Sequence, residues 1–298
     1  MWVRILGAAA GGGFPQWNCH CFNCNGLRLG TLRGKARSQA QAAVSWDGHS
    51  WHLLNASPDL RRQIEDAAFL WPAEGVRHSP IRSVILTSAE IDAVAGLLSL
   101  REFQPFTVYS TRAVQEILLG ENNLFHALQR VPNQVKWRVF SSDGVFPADT
   151  GLPVQAIPLR SHYPAFVPKK HEPKEAGVGL ALGTGGRRVL FLPAVGNIAE
   201  DLLEWMEQSD LLLFDGTFWS DDELIRVQQG ARTARQMNHI PMSGPCGSLE
   251  VLSRLKRPRK VYMHINNTNP VLDEDSPEHR AVVDAGWELA FDGMEFEL

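Results

Sequence analysis

Short apolar runs and amphipathic stretches alternate along most of this chain. Short runs of largely apolar residues are typical of buried strands, and apolar positions three or four residues apart are typical of helices. The predicted strands are 2–8, 41–47, 51–57, 83–88, 106–110, 154–159, 177–183, 188–193, 210–216, 260–265 and 288–298. The predicted helices are 58–71, 92–103, 111–120, 198–208, 221–229 and 247–256. The sequence therefore predicts a mixed α/β protein.

Two of the predicted strands contain uninterrupted apolar runs, "VLFL" in 188–193 and "LLLF" in 210–216. Strands of this kind are buried on both faces of a sheet. Two packed mixed sheets with helices outside, an αββα sandwich, would bury them, although the pattern alone does not distinguish this from a doubly wound sheet. Neither a repeat nor a low-complexity linker interrupts the pattern, so a single domain over residues 1–298 is expected.

Composition and charge exclude several classes of function. The chain has 298 residues and a formal net charge of −4, which provides no broad basic surface for nucleic acid. No apolar run approaches the roughly 20 residues of a membrane helix, and the start "MWVRILGAAAGGG" indicates a strand and turn instead of a signal peptide. Four cysteines in a chain of this length indicate a reducing compartment, so we expect a cytoplasmic protein without membrane insertion.

Three of the four cysteines lie in "NCHCFNCNG", as Cys19, Cys21 and Cys24. Three thiolates this close in a loop can converge on one tetrahedral zinc ion, which then lacks a fourth ligand. The alternative is three unrelated buried cysteines. Cys246 precedes a predicted helix, where we expect a packing role instead of a ligand role.

Three histidines and one aspartate lie where strands end, which is where α/β proteins place much of their chemistry. Asp215 ends the run "LLLFDG", with Thr217 in the following turn, and a buried carboxylate there must be paired or bound to metal. His162, His239 and His264 occupy similar positions. The alternatives are a turn aspartate and structural histidines.

A further junction lies in "SVILTSAEIDAVAGLLSL", where a predicted strand leads into a predicted helix. Its residues Ser88, Glu90, Asp92 and Ala93 have the spacing of the metal-binding turn H-x-H-x-D-H, but only the aspartate is kept. Ser57 is expected to cap the helix of 58–71, and the free amides there could hold an anion, although capping alone explains the residue.

Several of these motifs together resemble one known family. The glycine turn after the first strand, C-x-C-x-x-C, "LTSAEIDAVAGL", "DGTFW", "HIPMSGPCGSL" and "MHINNTNP" occur in the order found in the coenzyme PQQ synthesis protein B family of the metallo-β-lactamase superfamily. The resemblance extends from Met1 to Leu298. It implies an αββα sandwich and a role in the biosynthesis of pyrroloquinoline quinone (PQQ), a bacterial redox cofactor made from linked glutamate and tyrosine residues of a precursor peptide.

The resemblance also implies which metal ligands of the superfamily are kept. The residues that survive are Asp92, His162 and His264, with Glu90 as a substitute. Ligand histidines correspond to Ser88 and Ala93, and the aspartate that bridges two metals corresponds to Ala194. A two-zinc hydrolytic centre is therefore not expected, and the remaining set suits a single metal such as iron or another divalent ion.

The leading hypothesis is an enzyme that oxidises or hydroxylates the tyrosine-derived ring of the glutamate–tyrosine intermediate. Asp92, His239 and Asp215 are its expected catalytic residues, with His239 transferring protons. The expected substrate-binding residues are Arg37, Ser57, Ser88 and Thr217, although Arg37 could equally be a surface arginine. The competing hypothesis is a non-catalytic carrier that delivers PQQ or its precursor towards the periplasm. Other PQQ-pathway proteins are possible partners, and a phosphodiesterase is disfavoured by the lost ligands.

The resemblance bears on the fourth zinc ligand as well. Relatives with phosphodiesterase activity place a histidine three positions after the final active-site histidine, and this chain has Asn267 there. The amide oxygen of Asn267 is the expected fourth ligand, with water or His20 as alternatives.

Overall fold

The computed structural model describes residues 1–168 and 171–298. Within them, the strands are β1 Trp2–Gly7, β2 Gln41–Ser45, β3 Trp51–Leu54, β4 Ile81–Ile85, β5 Phe106–Ser110, β6 Val135–Val139, β7 Val145–Pro147, β8 Pro153–Pro158, β9 Val178–Leu182, β10 Val189–Leu192, β11 Leu211–Asp215, β12 Arg259–Met263, β13 Trp287–Leu289 and β14 Glu295–Glu297. The α-helices are α1 Phe22–Leu29, α2 Leu60–Asp66, α3 Ile91–Val94, α4 Arg112–Leu119, α5 Glu200–Glu207, α6 Glu223–Val227, α7 Ser248–Val251 and α8 Pro277–Asp284.

The strands form two mixed sheets of seven strands each, which confirms the predicted α/β class. The contacts divide the chain into two compact units, and the prediction of a single domain stays a prediction. The first unit comprises Met1–Leu6, Gln41–Arg187 and Gly293–Leu298. The second comprises Gly7–Ala40 and Arg188–Asp292. No helix in the described ranges is long and apolar enough to cross a membrane.

The first unit contains a whole sheet in the order β14-β1-β2-β3-β4-β5-β6. Its strands β3 to β6 run parallel, while β14 and β1, and β2 and β3, pair antiparallel. The core contains side chains of these strands and of α2, α3 and α4, including Leu53, Val108, Leu60, Val94 and Ile117. Strands β7, β8 and β9 pair antiparallel in the same unit.

The second unit contains four parallel strands, β10 to β13. Every residue of β10 and β11 is buried, as the apolar runs predict. Tyr262 of β12 stacks on Trp287 of β13 with ring centroids 4.0 Å apart. Because parallel strands present their carboxyl ends at one edge, the loops after β10, β11 and β12 lie together, and such edges hold ligands in α/β folds.

Each predicted strand overlaps an observed strand, and 288–298 covers parts of two, β13 and β14, but two helices and two short strands are not predicted. The missed elements are α1, α8, β6 and β7. Helix α1 lies inside the cysteine motif, where Cys21 caps its start and Gly30 ends it at φ 69°. The predicted helix 92–103 is instead the short α3 followed by a 3₁₀ helix over Ala95–Leu100.

The prediction that Ser57 caps the next helix is wrong. Helix α2 begins at Leu60, and the residue before it, Asp59, makes no side-chain capping bond. The Ser57 hydroxyl instead donates to Gln63 Oε1, and the Ser57 amide donates to Gln41 Oε1. The side chains of Gln41 and Gln63 thus satisfy this buried serine, and the amide expected to hold an anion already has a partner.

Candidate functional site

Asp215 is the centre of a polar cluster in the second unit. It ends the buried strand β11 and is fully buried. Its Oδ2 accepts from the Val195 amide at 2.8 Å, and its Oδ1 accepts from the Thr217 amide at 3.1 Å and the Thr217 hydroxyl at 2.6 Å. These bonds provide the pairing that a buried carboxylate needs.

Two histidines complete the cluster. His239 Nδ1 lies 2.8 Å from Asp215 Oδ2, and His264 Nδ1 lies 2.8 Å from Thr217 Oγ1. The carboxylate of Asp215 can only accept, so His239 Nδ1 carries the proton of their hydrogen bond. The Thr217 hydroxyl gives its own proton to Asp215 and therefore accepts from His264, so His264 Nδ1 is protonated as well. The two rings stack with centroids 5.5 Å apart. In this tautomer, Nε2 is the ring nitrogen of each histidine that can take a proton or a metal.

The charge of Asp215 follows from this environment. Burial alone would raise the pKa of its carboxyl, but the imidazoles of His239 and His264 and the Thr217 hydroxyl reverse the effect and lower the pKa below its usual range. Asp215 is therefore ionised at neutral pH. A buried, ionised carboxylate on Nδ1 fixes the orientation and the tautomer of the His239 imidazole.

The backbone around both histidines is strained. His264 has φ 58° and Asn238, directly before His239, has φ 64°, both in the left-handed region. This conformation costs a non-glycine residue on the order of 1 kcal/mol and persists only where neighbours enforce it. Here the Gly216 amide donates to Met263 O at 2.7 Å, and the Ile240 amide donates to Val195 O at 2.7 Å. The strain is typical of positions that orient functional side chains.

The interior of this cluster is occupied by a protein atom. Asp215, His239 and His264 could present three metal-ligand atoms within 4.8 Å of one another. However, Thr217 Oγ1 lies between them, 2.6 Å from Asp215, 3.1 Å from His239 and 2.8 Å from His264. The cluster is thus a hydrogen-bonded network that holds two imidazoles in place.

A second group of candidate metal ligands lies in the same unit. The sulfur atoms of Cys19, Cys21 and Cys24 can also present ligand atoms within 4.8 Å of one another. Asn267 Nδ2 lies 3.2, 3.7 and 3.3 Å from these sulfurs, so the predicted fourth ligand faces all three. Rotating the amide by half a turn would direct Oδ1 at the same point. This donor set fits zinc, and the alternative ligand His20 is exposed.

The thiols at this site differ in how readily they ionise. Burial raises the pKa of the Cys21 thiol to about 12. Burial opposes ionisation of Cys19 as well, but hydrogen bonds from Cys21, Cys24 and Asn267 outweigh it and lower the pKa of Cys19. A positive ion would stabilise all three as thiolates, the form that binds metal.

The turn that has lost its histidines lies in the first unit. Asn55 Oδ1 accepts from both the amide and the hydroxyl of Thr87, at 2.9 and 3.0 Å. The Ala56 amide donates to Ala93 O at 2.6 Å, and the Ser88 hydroxyl accepts from the Glu90 amide at 3.3 Å. The turn is therefore held by its own hydrogen bonds and needs no metal to keep its shape.

Arg37, a predicted substrate-binding residue, is buried. It donates from Nε to Ala290 O at 2.8 Å and from Nη1 to Lys35 O at 2.9 Å. Burial lowers the pKa of Arg37 to about 10. These contacts give it a structural role, so the alternative of a surface arginine is wrong, and substrate binding by Arg37 stays a prediction.

The predicted active-site ligands are divided between the units. Glu90 and His162 are exposed and Asp92 is half-buried, all in the first unit, whereas His264 belongs to the second. Among the described residues of the first unit, Glu90, Asp92 and His162 do not form a group of three metal-ligand atoms. A metal at these positions stays a prediction. Glu223, a buried residue of α6 in the second unit, is not among the predicted site residues, because acids in a first helical turn are usually solvated.

Comparison with known proteins identifies several relatives. Residues 50–265 match the β-lactamase superfamily domain. Coenzyme PQQ synthesis protein B of Pseudomonas putida strain W619 is 45% identical, and that of Pseudomonas fluorescens strain SBW25 is 46% identical, with 100% of both chains covered in each case. The structure of Zn²⁺-bound PqqB from Methylobacterium extorquens matches with a TM-score of 0.94 and 41% identity over 100% of both chains. A diphosphatase of the PhnP family matches with a TM-score of 0.67 at 18% identity, over 100% of this chain and 97% of the other, which shows a shared fold alone.

Proposed function

Because this chain belongs to the coenzyme PQQ synthesis protein B family of the β-lactamase superfamily and has a role in PQQ biosynthesis, we propose that it is a metal-dependent enzyme of that pathway. Its substrate would be the glutamate–tyrosine intermediate, and its reaction the oxidation or hydroxylation of the tyrosine-derived ring. The observation that carries this proposal is the imidazole of His239, oriented by the buried carboxylate of Asp215 beside His264.

His239 would act as the general base. Its Nδ1 proton is held by Asp215 at 2.8 Å, so Nε2 is the atom that would receive the proton lost by a phenolic oxygen. The ionised carboxylate stabilises the imidazolium that results. Thr217 links the same carboxylate to His264 and would keep the His264 imidazole in its orientation during this transfer. Thr217 is thus better suited to positioning than to the predicted direct binding of substrate.

A bound iron or other divalent ion would supply the redox chemistry that side chains lack. The proposed ligands are those that the resemblance to the family implies, namely His264 and Asp92 with His162 or Glu90.

We infer a separate zinc ion at the three cysteines. The convergent sulfur atoms and the facing amide of Asn267 support this assignment, as does the zinc bound by the relative from Methylobacterium extorquens. Such a site would be structural, since thiolates and an amide would fill all four tetrahedral positions. We propose small-molecule PQQ precursors or PQQ as ligands, other pathway proteins as partners and the cytoplasm as location.

The test is a turnover assay on the purified chain loaded anaerobically with Fe²⁺. Upon addition of the glutamate–tyrosine intermediate and oxygen, mass spectrometry should detect an oxygenated or dehydrogenated product. His239→Gln should reduce kcat by about 10²-fold or more, the usual contribution of a general base, without loss of fold. Asp92→Ala should abolish both tight iron binding and turnover, whereas the exposed-site control His49→Gln should keep both.

A carrier of PQQ or its precursor is the second candidate. The loss of three superfamily ligand positions, at Ser88, Ala93 and Ala194, is the observation that favours it. A carrier would bind PQQ or the intermediate tightly in the same assay and release it unchanged. If that result were obtained and the affinity for the ligand were the same with and without iron, the enzyme hypothesis would be rejected in favour of the carrier hypothesis.

A further inference from the structure

Glu223 is a buried carboxylate for which the proposed reaction has no use. It is the first residue of α6, where acids normally face solvent, yet it is only 7% exposed. Its Oε2 accepts from the Trp219 amide at 2.6 Å, and its Oε1 accepts from the Thr268 hydroxyl at 2.6 Å. Burial raises the pKa of this carboxyl to about 7, against the effect of the hydrogen bonds from Thr268 and Trp219. Burying a carboxylate costs free energy, so the two hydrogen-bond partners of Glu223 should explain why it is buried.

The two partners belong to the loops that carry Thr217 and His264. Trp219 is two residues after Thr217, on the loop that follows β11. Thr268 is four residues after His264, on the loop that follows β12. The Thr268 hydroxyl also accepts from Asn266 Nδ2 at 2.6 Å, which leaves its own proton directed at Glu223. The carboxylate of Glu223 thus bridges the β11 loop and the β12 loop.

The β12 loop, residues 264–269, is tied down along its length. The Asn266 amide donates to Thr217 O at 3.0 Å, and Asn269 Nδ2 donates to Gly216 O at 3.1 Å. Asn23 Nδ2 donates to both Asn267 O and Asn269 O, at 3.1 and 2.8 Å. The loop therefore carries a ligand candidate of each metal site, His264 and Asn267, three residues apart on one hydrogen-bonded segment.

We propose that Glu223 is a positioning residue that fixes the β12 loop through Thr268 and thereby sets the orientation of His264 beside Thr217. Because Asn267 is on the same segment, a cation at the three cysteines and a cation at His264 would each favour the arrangement that the other needs. The metal-binding half of this inference rests on the proposed function. The orientation of His264 does not.

The experiment compares Glu223→Gln with Glu207→Gln, the same change at an exposed acid of α5. Glutamine keeps the size of the side chain, and its oxygen can still accept from the Trp219 amide. In that orientation the NH₂ group faces Thr268 and cannot accept the proton of its hydroxyl. With zinc retained at the cysteines, Co²⁺ is titrated into each protein. We expect Glu223→Gln to weaken the Co²⁺ affinity at His264 by about tenfold, within the usual range of coupling between sites, and Glu207→Gln to match wild type.

A second measurement needs no metal at the histidines. Nitrogen-15 spectra of the imidazoles report the tautomer and environment of His264, which should change in Glu223→Gln and remain unaltered in Glu207→Gln. Thr268→Val should give the same changes, and the double variant should add nothing, since both act through one hydrogen bond. Thr268→Val carries the test alone if Glu223→Gln does not fold.

Unchanged imidazole spectra together with unchanged Co²⁺ affinity in a folded Glu223→Gln protein would overturn the positioning role. His264→Gln separates the two hypotheses. If wild type binds no Co²⁺ that depends on His264, the metal in the proposed function is rejected, while altered His264 spectra in Glu223→Gln would still support positioning by Glu223.

Discussion

At the scale of single residues, the polar groups buried in this chain have different tasks. Asp215 is buried as an anion because His239, Thr217 and the Val195 amide share its charge. His52 is buried as a neutral ring, with Nδ1 2.7 Å from Ser83 Oγ and Nε2 3.0 Å from Thr150 Oγ1. The first arrangement favours proton transfer, whereas in the second both partners that the described residues provide are neutral hydroxyls, which suits a role in stabilising the fold.

The neutral His52 predicts a pH dependence of stability. Burial lowers its pKa to about 4, although the charges of Asp149 and Asp47 oppose the shift. In the unfolded chain the pKa is about 6.5, so the unfolded state takes up this proton first as the pH falls. The contribution of His52 is complete above pH 6.5 and is lost progressively towards pH 4. Between pH 7.5 and 5 the loss should reach about 2 kcal/mol.

Urea unfolding at both pH values measures this loss. His52→Gln should lack this part of the pH dependence, because the residue no longer titrates. The exposed His49 provides the control, and His49→Gln should keep the slope of wild type. Equal slopes in all three proteins would show that His52 is not the group responsible.

At the scale of elements, close packing explains why the degraded metal turn is retained. The first turn of the 3₁₀ helix after α3 lies directly against the segment that follows β3. The Gly96 amide donates to Ala56 O at 2.9 Å, and a Cβ at Gly96 would lie 2.1 Å from Ser57 O. The junction thus depends on backbone fit and on the hydrogen bonds that Thr87 donates to Asn55, so it can persist without histidine ligands.

Gly96→Ala should therefore destabilise the fold by about 3 kcal/mol, because backbone atoms cannot move aside as a flexible side chain could. Ser99→Ala, an exposed change in the same 3₁₀ helix, should stay within about 0.5 kcal/mol of wild type. Chemical unfolding of both variants is the measurement. A Gly96→Ala protein as stable as Ser99→Ala would mean that the backbone of this junction is not constrained.

The cysteine motif is the second element whose stability can be tested. Cys21 Sγ accepts from the Cys24 amide at the start of α1, and Asn267 faces the sulfurs from the β12 loop. A zinc ion there would link helix α1 to that loop. Cys21→Ser should lose one zinc ion per chain and several kcal/mol of stability, since binding of a structural metal is coupled to folding.

Elemental analysis and the melting temperature report both losses. The matched control is Cys246→Ser, at an exposed cysteine, which should keep the zinc and the melting temperature of wild type. Full zinc content with an unchanged melting temperature in Cys21→Ser would contradict the structural-zinc assignment.

At the scale of the whole molecule, the sequence predicts which segments are strands and which residues are candidates for the site, but it does not predict which of those residues meet in space. The apolar runs locate the strands, and the position of Asp215 and His264 at strand ends marks them as candidates. That they meet around Thr217 depends on the parallel order of β10, β11 and β12, which no local pattern encodes. Glu223 could not be recognised for the same reason, because its hydrogen-bond partners Trp219 and Thr268 are 4 and 45 residues away in sequence, on two different loops.

The retained fold and the altered ligands lead to a prediction about activity. The chain shares its fold with a diphosphatase of the PhnP family, but a shared fold does not establish an activity. Two-metal hydrolysis requires ligands that hold both ions about 3.5–4 Å apart and activate water. Ser88, Ala93 and Ala194 cannot supply imidazole or carboxylate donors at the positions where the resemblance places three of those ligands.

We therefore expect negligible hydrolysis of bis(p-nitrophenyl) phosphate by the protein loaded with Zn²⁺ or Mn²⁺, at a rate no higher than that of the metal in buffer. A phosphodiesterase that cleaves this substrate, assayed in parallel, verifies that the conditions permit turnover. The three cysteines should retain their zinc throughout, so the missing activity would not reflect a missing fold. Robust turnover that a chelator abolishes, and that His264→Gln also abolishes, would show that the altered turn still supports a hydrolytic centre.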